Sequence, residues 1–159
     1  MTKPLESRRG QGRLSAMRFL YEWSLNPGES LDQAMEHHFK YMRLRTGVAV
    51  YARRLVEGTL SHLKQIDQMI SDHLTNWSID RLAVVDLTAL RVGTFEMMYI
   101  EEVPTRVTIN ELVEVAKNYG SADSAGFVNG VLDAIRKNLE PSGEPVAHID
   151  YVEAAIGEA

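Results

Sequence analysis

Read at helical pitch, Leu82–Ile100 (LAVVDLTALRVGTFEMMYI) is apolar on nearly every face. It has almost the length of a bilayer span, but it contains Asp86, Arg91 and Glu96. Each such charge near a bilayer centre costs about 2.5–3.5 kcal/mol. A helix that is apolar all round and still charged belongs in the middle of a helical bundle. The expectation is therefore a central helix with others packed around it, and no membrane span.

The flanking sequence supplies those other helices. Apolar residues recur at three- and four-residue intervals, and strand-like alternation is nearly absent. A first helix is predicted from about Ser7 or Arg13 to Leu25, stopped by Asn26-Pro27-Gly28. Ser30 with Gln33 three residues on makes a capping box for a short second helix. Thr46 can cap one long third helix, apolar at Val48, Ala52, Leu55, Val56, Leu60, Leu63, Ile66, Ile70 and Leu74. Trp77-Ser78-Ile79-Asp80 interrupts the pattern before the central helix. Beyond Pro104, suited to a first turn, Ile109, Leu112, Val113 and Ala116 mark a further helix, with Gly120 in the place of a C′ glycine. Ser121 or Asp123 can cap a last helix bearing Val128, Val131, Leu132, Ile135 and Leu139. Short connections favour antiparallel neighbours. The fold class is all-α, one helical domain over 1–140, followed by an acidic tail over 141–159 that reads as frayed.

The composition excludes several classes. The 159 residues are 45% hydrophobic and 25% charged, ordinary for one globular domain, and contain no cysteine. Thiol chemistry and Cys-ligated metals are therefore excluded. The N-terminus has no apolar signal core, which reads as cytoplasmic. The net charge of −5 hides a gradient. Residues 1–20 carry Lys3, Arg8, Arg9, Arg13 and Arg18 against Glu6, a balance of 5 − 1 = +4. Residues 140–159 carry Glu140, Glu144, Asp150, Glu153 and Glu158 with no Lys or Arg, −5. A basic arm of this kind is a footprint for phosphate.

Catalytic chemistry finds no support. His37, His38, His62, His73 and His148 contain no pair at i, i+4 and no H-E-x-x-H, so no metal site is expected. Gly10-Gln11-Gly12 follows no strand and lacks a third glycine. Asp80 and Asp86 are badly spaced for a carboxylate pair on one helix face. The remaining constellation is for binding: Arg8, Arg9, Arg13 and Arg18 for phosphate, and Ser121–Phe127 at the start of the last helix. Phe127 offers a stacking face there, with a core position as its alternative.

These residues resemble a known family. Arg8-Arg9 through Arg13, Ala16 and Leu20-Tyr21-x-Trp23 resemble the opening of the NusB family of bacterial transcription antitermination factors. Ile109-Asn110-Glu111-Leu112-Val113-Glu114-Val115-Ala116-Lys117-x-Tyr119-Gly120 and Asp123-Ser124-x-x-Phe127-Val128-Asn129-Gly130-Val131-Leu132-Asp133 are similar to two further blocks of that family. The resemblance covers roughly residues 8 to 138. It implies about seven helices in two packed sub-bundles, three then four, with no enzymatic activity and no cofactor. It also implies binding of single-stranded boxA-type RNA of nascent ribosomal RNA transcripts, jointly with a small-subunit ribosomal protein acting as NusE, in a transcription elongation complex. By position, the RNA would meet Arg8, Arg9, Arg13, Arg18, Asp123, Ser124 and Phe127. The protein partner would meet Tyr21, Asp86 and Glu96. Gly10, Gln11 and Gly12 thin the arginine run, and Gly126 stands where a basic residue often precedes the family's Phe. The alternative is a detached NusB-like domain related to those of ribosomal-RNA cytosine methyltransferases.

Overall fold

The structure, a computed structural model, describes residues 7–28 and 30–140. The expected acidic tail over 141–159, with Lys3 and Glu6, lies outside the described residues. Among the described residues seven helices run in order: α1 Arg8–Leu25, α2 Leu31–Tyr41, α3 Thr46–Ser61, α4 Leu63–Asp72, α5 Val84–Tyr99, α6 Thr105–Tyr119 and α7 Ser124–Leu139. A 3-10 turn, Ile79–Arg81, precedes α5. No strand occurs among the described residues.

The start and stop signals explain most boundaries. Ser7 caps α1 by accepting from the Gly10 N–H at 2.9 Å, and Ser30 caps α2 by accepting from Gln33 N–H at 3.3 Å. The predicted long third helix is two helices. His62 (φ −114°, ψ 21°) ends α3 and starts α4, its Nδ1 2.9 Å from the Gly58 carbonyl and its ring against Phe95 and Tyr99. Thr46 is the first residue of α3 rather than its cap. Gly120 is not left-handed either (φ −98°, ψ −164°). It is needed for room, since a Cβ there would collide with the Ser124 side chain.

The two sub-bundles meet on α5. Ala89, Leu90, Val92, Phe95, Met97 and Ile100 are buried, and α5 packs against α1, α3, α4, α6 and α7. Gly58 leaves space for the Phe95 ring, which presses on the α3 backbone. Each fully buried Leu or Phe of this kind contributes roughly 1.5–3 kcal/mol.

Register across the bundle positions everything that follows. Arg8 lies beside Gly47, and Gly12 beside Tyr51 and Ala52. Arg13 meets Glu111, and Arg18 meets Tyr119. The offsets stay nearly constant along α1, so α3 and α6 both run parallel to it. Helix α7 runs back along α6, with Ser124 at Gly120 and Glu140 at Thr105. The N-termini of α1, α3 and α6 therefore share one pole.

Candidate nucleic-acid interface

None of these three helices carries an acidic residue in its first turn. Acidic side chains normally offset the positive end of the helix dipole. Here three such ends stand side by side with no acidic residue in their first turns. A cleft of about 340 Å³ opens between two of them, lined by Ser7, Arg8, Arg9, Arg13, Val103, Pro104, Val107 and Glu111. Arg8 and Arg9 are exposed and make no ion pair among the described residues. Arg45 and Arg106, at the starts of α3 and α6, are exposed and unpaired in the same sense. Sequence reading missed both, because helix starts are legible locally while their apposition is not. A partly exposed pair nearby joins Arg54 to Glu102 at 2.7 Å; burial raises the Glu102 carboxyl, but that guanidinium holds it below its ordinary range.

Arg13 departs from the expected phosphate role. Its side chain is 1% exposed. Nε donates to both oxygens of Glu96 at 2.9 and 2.8 Å, and Nη1 donates to Glu111 Oε1 at 2.9 Å. The hydroxyls of Tyr51 and Thr108 also donate to Glu96. Burial first, then the Glu96 charge, pushes the Tyr51 hydroxyl far up. Glu111 is raised above the usual carboxylate range by burial, and Arg13 only partly offsets this. Two carboxylates on one guanidinium leave the buried group one charge negative. This network clamps α1, α3, α5 and α6 together directly under the pole.

Glu96, expected at a protein interface, is likewise an interior residue, with no exposed side-chain surface. Ser124 is a third correction. It is buried, its Oγ accepting from the Ser121 N–H at 2.9 Å, so it pins the α6–α7 turn rather than facing solvent. Neither Ser121 nor Asp123 caps α7 through its side chain.

The other expected residues gather at the opposite end. Asp123 is exposed and Phe127 is half-buried against the core. Arg18 is exposed, donates to the Tyr119 hydroxyl at 3.3 Å and sits 5.9 Å from that ring's centroid. The fifteen residues of α6 separate this end from Arg9, about 22 Å at 1.5 Å per residue. Leu14, Met17, Arg18, Tyr21, Glu22, Val85, Val115 and Tyr119 line a second cleft of about 240 Å³. Tyr21 is 39% exposed there, and Asp86 follows Val85 in the first turn of α5, where its charge suits the dipole. The arrangement offers two separated faces, one basic and one mixed apolar.

Among the described residues, no three His, Asp or Glu side chains are grouped to hold a metal, and no helix is long and apolar enough to cross a membrane.

Comparison with known proteins places the chain. A model of the NusB family matches residues 11–137. The chain belongs to the NusB family. The transcription antitermination protein NusB of Myxococcus xanthus is 38% identical over 130 residues, covering 80% of this chain and 93% of that protein. That of Fervidobacterium nodosum is 53% identical over 89 residues, 56% of this chain and 63% of that one. A crystal structure of antitermination factors NusB and NusE in complex with dsRNA superposes with a TM-score of 0.75 at 32% identity, covering 82% of this chain and 97% of that one. Both named relatives carry the name of a transcription antitermination protein.

Proposed function

We propose that this chain is a cytoplasmic transcription antitermination factor that binds single-stranded boxA-type RNA of nascent ribosomal transcripts. It acts jointly with a small-subunit ribosomal protein in the role of NusE, within an elongation complex. The observation that carries the reading is the pair of exposed arginines, Arg8 and Arg9, without an ion pair among the described residues, at a pole of three helix N-termini whose first turns hold no acidic residue. Arginine matches phosphate bidentately, and helix N-termini favour anions. Arg18, Asp123 and Phe127 form the second contact at the far end of α6. The cleft beside Tyr21 and Asp86 takes the ribosomal protein. The relative solved with NusE and dsRNA supports both partner classes.

The test is a titration of labelled boxA-type single strand, a scrambled strand and a duplex, each with and without the ribosomal protein. The reading requires preference for the boxA-type strand and tighter binding when the protein partner is present. Tethering two contacts can raise affinity by roughly 10²–10⁴. Equal binding of all three nucleic acids, or no effect of the partner, overturns it.

A further inference from the structure

Helix α7 sets where the described part of the chain ends. Glu140 follows its last residue and sits beside the first turn of α6, with Oε2 3.5 Å from Thr105 Oγ1. Thr105 follows Pro104, which lines the basic cleft with Arg8 and Arg9. Residues 141–159 therefore depart from the rim of the positive pole. That segment carries Glu144, Asp150, Glu153 and Glu158, with no Lys or Arg. At no more than about 3.6 Å per residue, the step from Glu140 to Glu144 reaches roughly 14 Å, and Asp150 and Glu153 reach further still.

The surface beside this exit is rich in arginine, and a nearby carboxylate, Glu102, is already held by Arg54. Arg8, Arg9, Arg45 and Arg106 have no ion pair among the described residues. Arginines without an ion pair among the described residues therefore lie beside the point where the acidic segment is attached.

We propose that the acidic C-terminal segment docks on the basic pole and competes there with RNA. The docking stands on charge and tether geometry. The competition rests on the RNA reading above. A tether of this length holds the segment at an effective concentration of order millimolar, so a weak contact occupies much of the pole. The contact is strong at low salt, where the Debye length is about 30 Å at 0.01 M, and vanishes near 1 M, where it is about 3 Å.

The absence of cysteine makes the test direct. A nitroxide on full-length Ala147→Cys should broaden the amide resonances of residues 8–11, 45–48 and 105–107 at about 0.01 M salt and release them near 1 M. A second full-length variant combines Glu144→Gln, Asp150→Asn, Glu153→Gln and Glu158→Gln. It should bind a single-stranded RNA dodecamer about three- to tenfold more tightly at low salt. With Arg8→Ala and Arg9→Ala added, that gain should disappear. No broadening at low salt, or broadening that fades on dilution because it arises between molecules, overturns the docking. Broadening with unchanged RNA affinity overturns the competition. Broadening in a chain that binds no RNA leaves the docking standing and overturns the RNA reading instead.

Discussion

The first turn of α1 and the turn after it carry the same residue type under opposite conditions. Arg8 and Arg9 stand in solvent at the pole, whereas Arg13, one turn on, is enclosed by Glu96 and Glu111. Solvated, a guanidinium is free to neutralise a phosphate. Enclosed, its desolvation has to be offset by hydrogen-bonded carboxylates, and it joins helices instead of binding ligand. The same helix thus anchors the bundle and, four residues earlier, presents its charge outward. The carboxylates beneath the pole are held by Arg13, Tyr51 and Thr108 rather than left to repel phosphate.

The largest effect should come from breaking the enclosed half. Arg13→Ala leaves Glu96 and Glu111 buried without their cation, and such a loss costs about 3–5 kcal/mol. A urea unfolding curve reads this directly. If Arg13 acted as a surface contact, its removal would stay within about 0.5 kcal/mol. A smaller effect of defined sign should follow from Glu111→Gln. A carboxyl raised by burial binds its proton more tightly when folded, so the native state loses stability as pH rises above the unfolded value of about 4.3. The loss is complete once pH passes the folded value. The glutamine variant lacks this slope, so its unfolding midpoint should gain on the parent between pH 4 and neutrality. Parallel profiles would show that the Glu111 charge is fully compensated.

Much of this architecture is legible from residues a few positions apart. Ser7, Ser30, Asn26 and the all-round apolarity of Leu82–Ile100 act locally, and the all-α class with a central helix follows from them, while the count of seven helices in two sub-bundles comes from the family resemblance. The failures share a cause. The apolar period runs straight through His62, and the break there comes from a ring packed on Phe95 and Tyr99, more than thirty residues away in sequence. Arg13 looks like its neighbours until Glu96 and Glu111, 83 and 98 positions on, are folded against it. Arg45 and Arg106 join the pole only because α3 and α6 run parallel to α1. Periodicity and caps fix elements, but partners across the bundle decide which charges remain free.

The solvated half should respond in the opposite sense. Arg8→Ala with Arg9→Ala should leave stability within about 0.5 kcal/mol per site. Losing two phosphate contacts on a single strand should flatten the slope of log K against log salt by about 1.4, at 0.7 per contact. An unchanged slope would move the RNA away from the pole. A large stability loss would mean that the contrast with Arg13 is false.

Arg18 is the intermediate case, exposed but leaning on Tyr119, and it should give the smallest change. An exposed cation–π contact contributes about 0.5–1 kcal/mol, so Arg18→Ala should destabilise by no more than that. Its value lies in RNA length. Arg9 and Arg18 approach opposite ends of α6, about 22 Å apart, and stacked nucleotides advance about 3.4 Å each. A strand needs roughly seven to eight nucleotides to touch both. A tetranucleotide held at the pole should therefore bind Arg18→Ala as well as it binds the parent. A dodecamer should lose one contact, with a fall in salt slope of about 0.7. If both lengths lose equally, the two ends are not joined by one strand and Arg18 acts at the pole through α1. If neither loses, Arg18 belongs to the cleft it shares with Tyr21 and Val85, and the ribosomal protein rather than RNA should feel its removal.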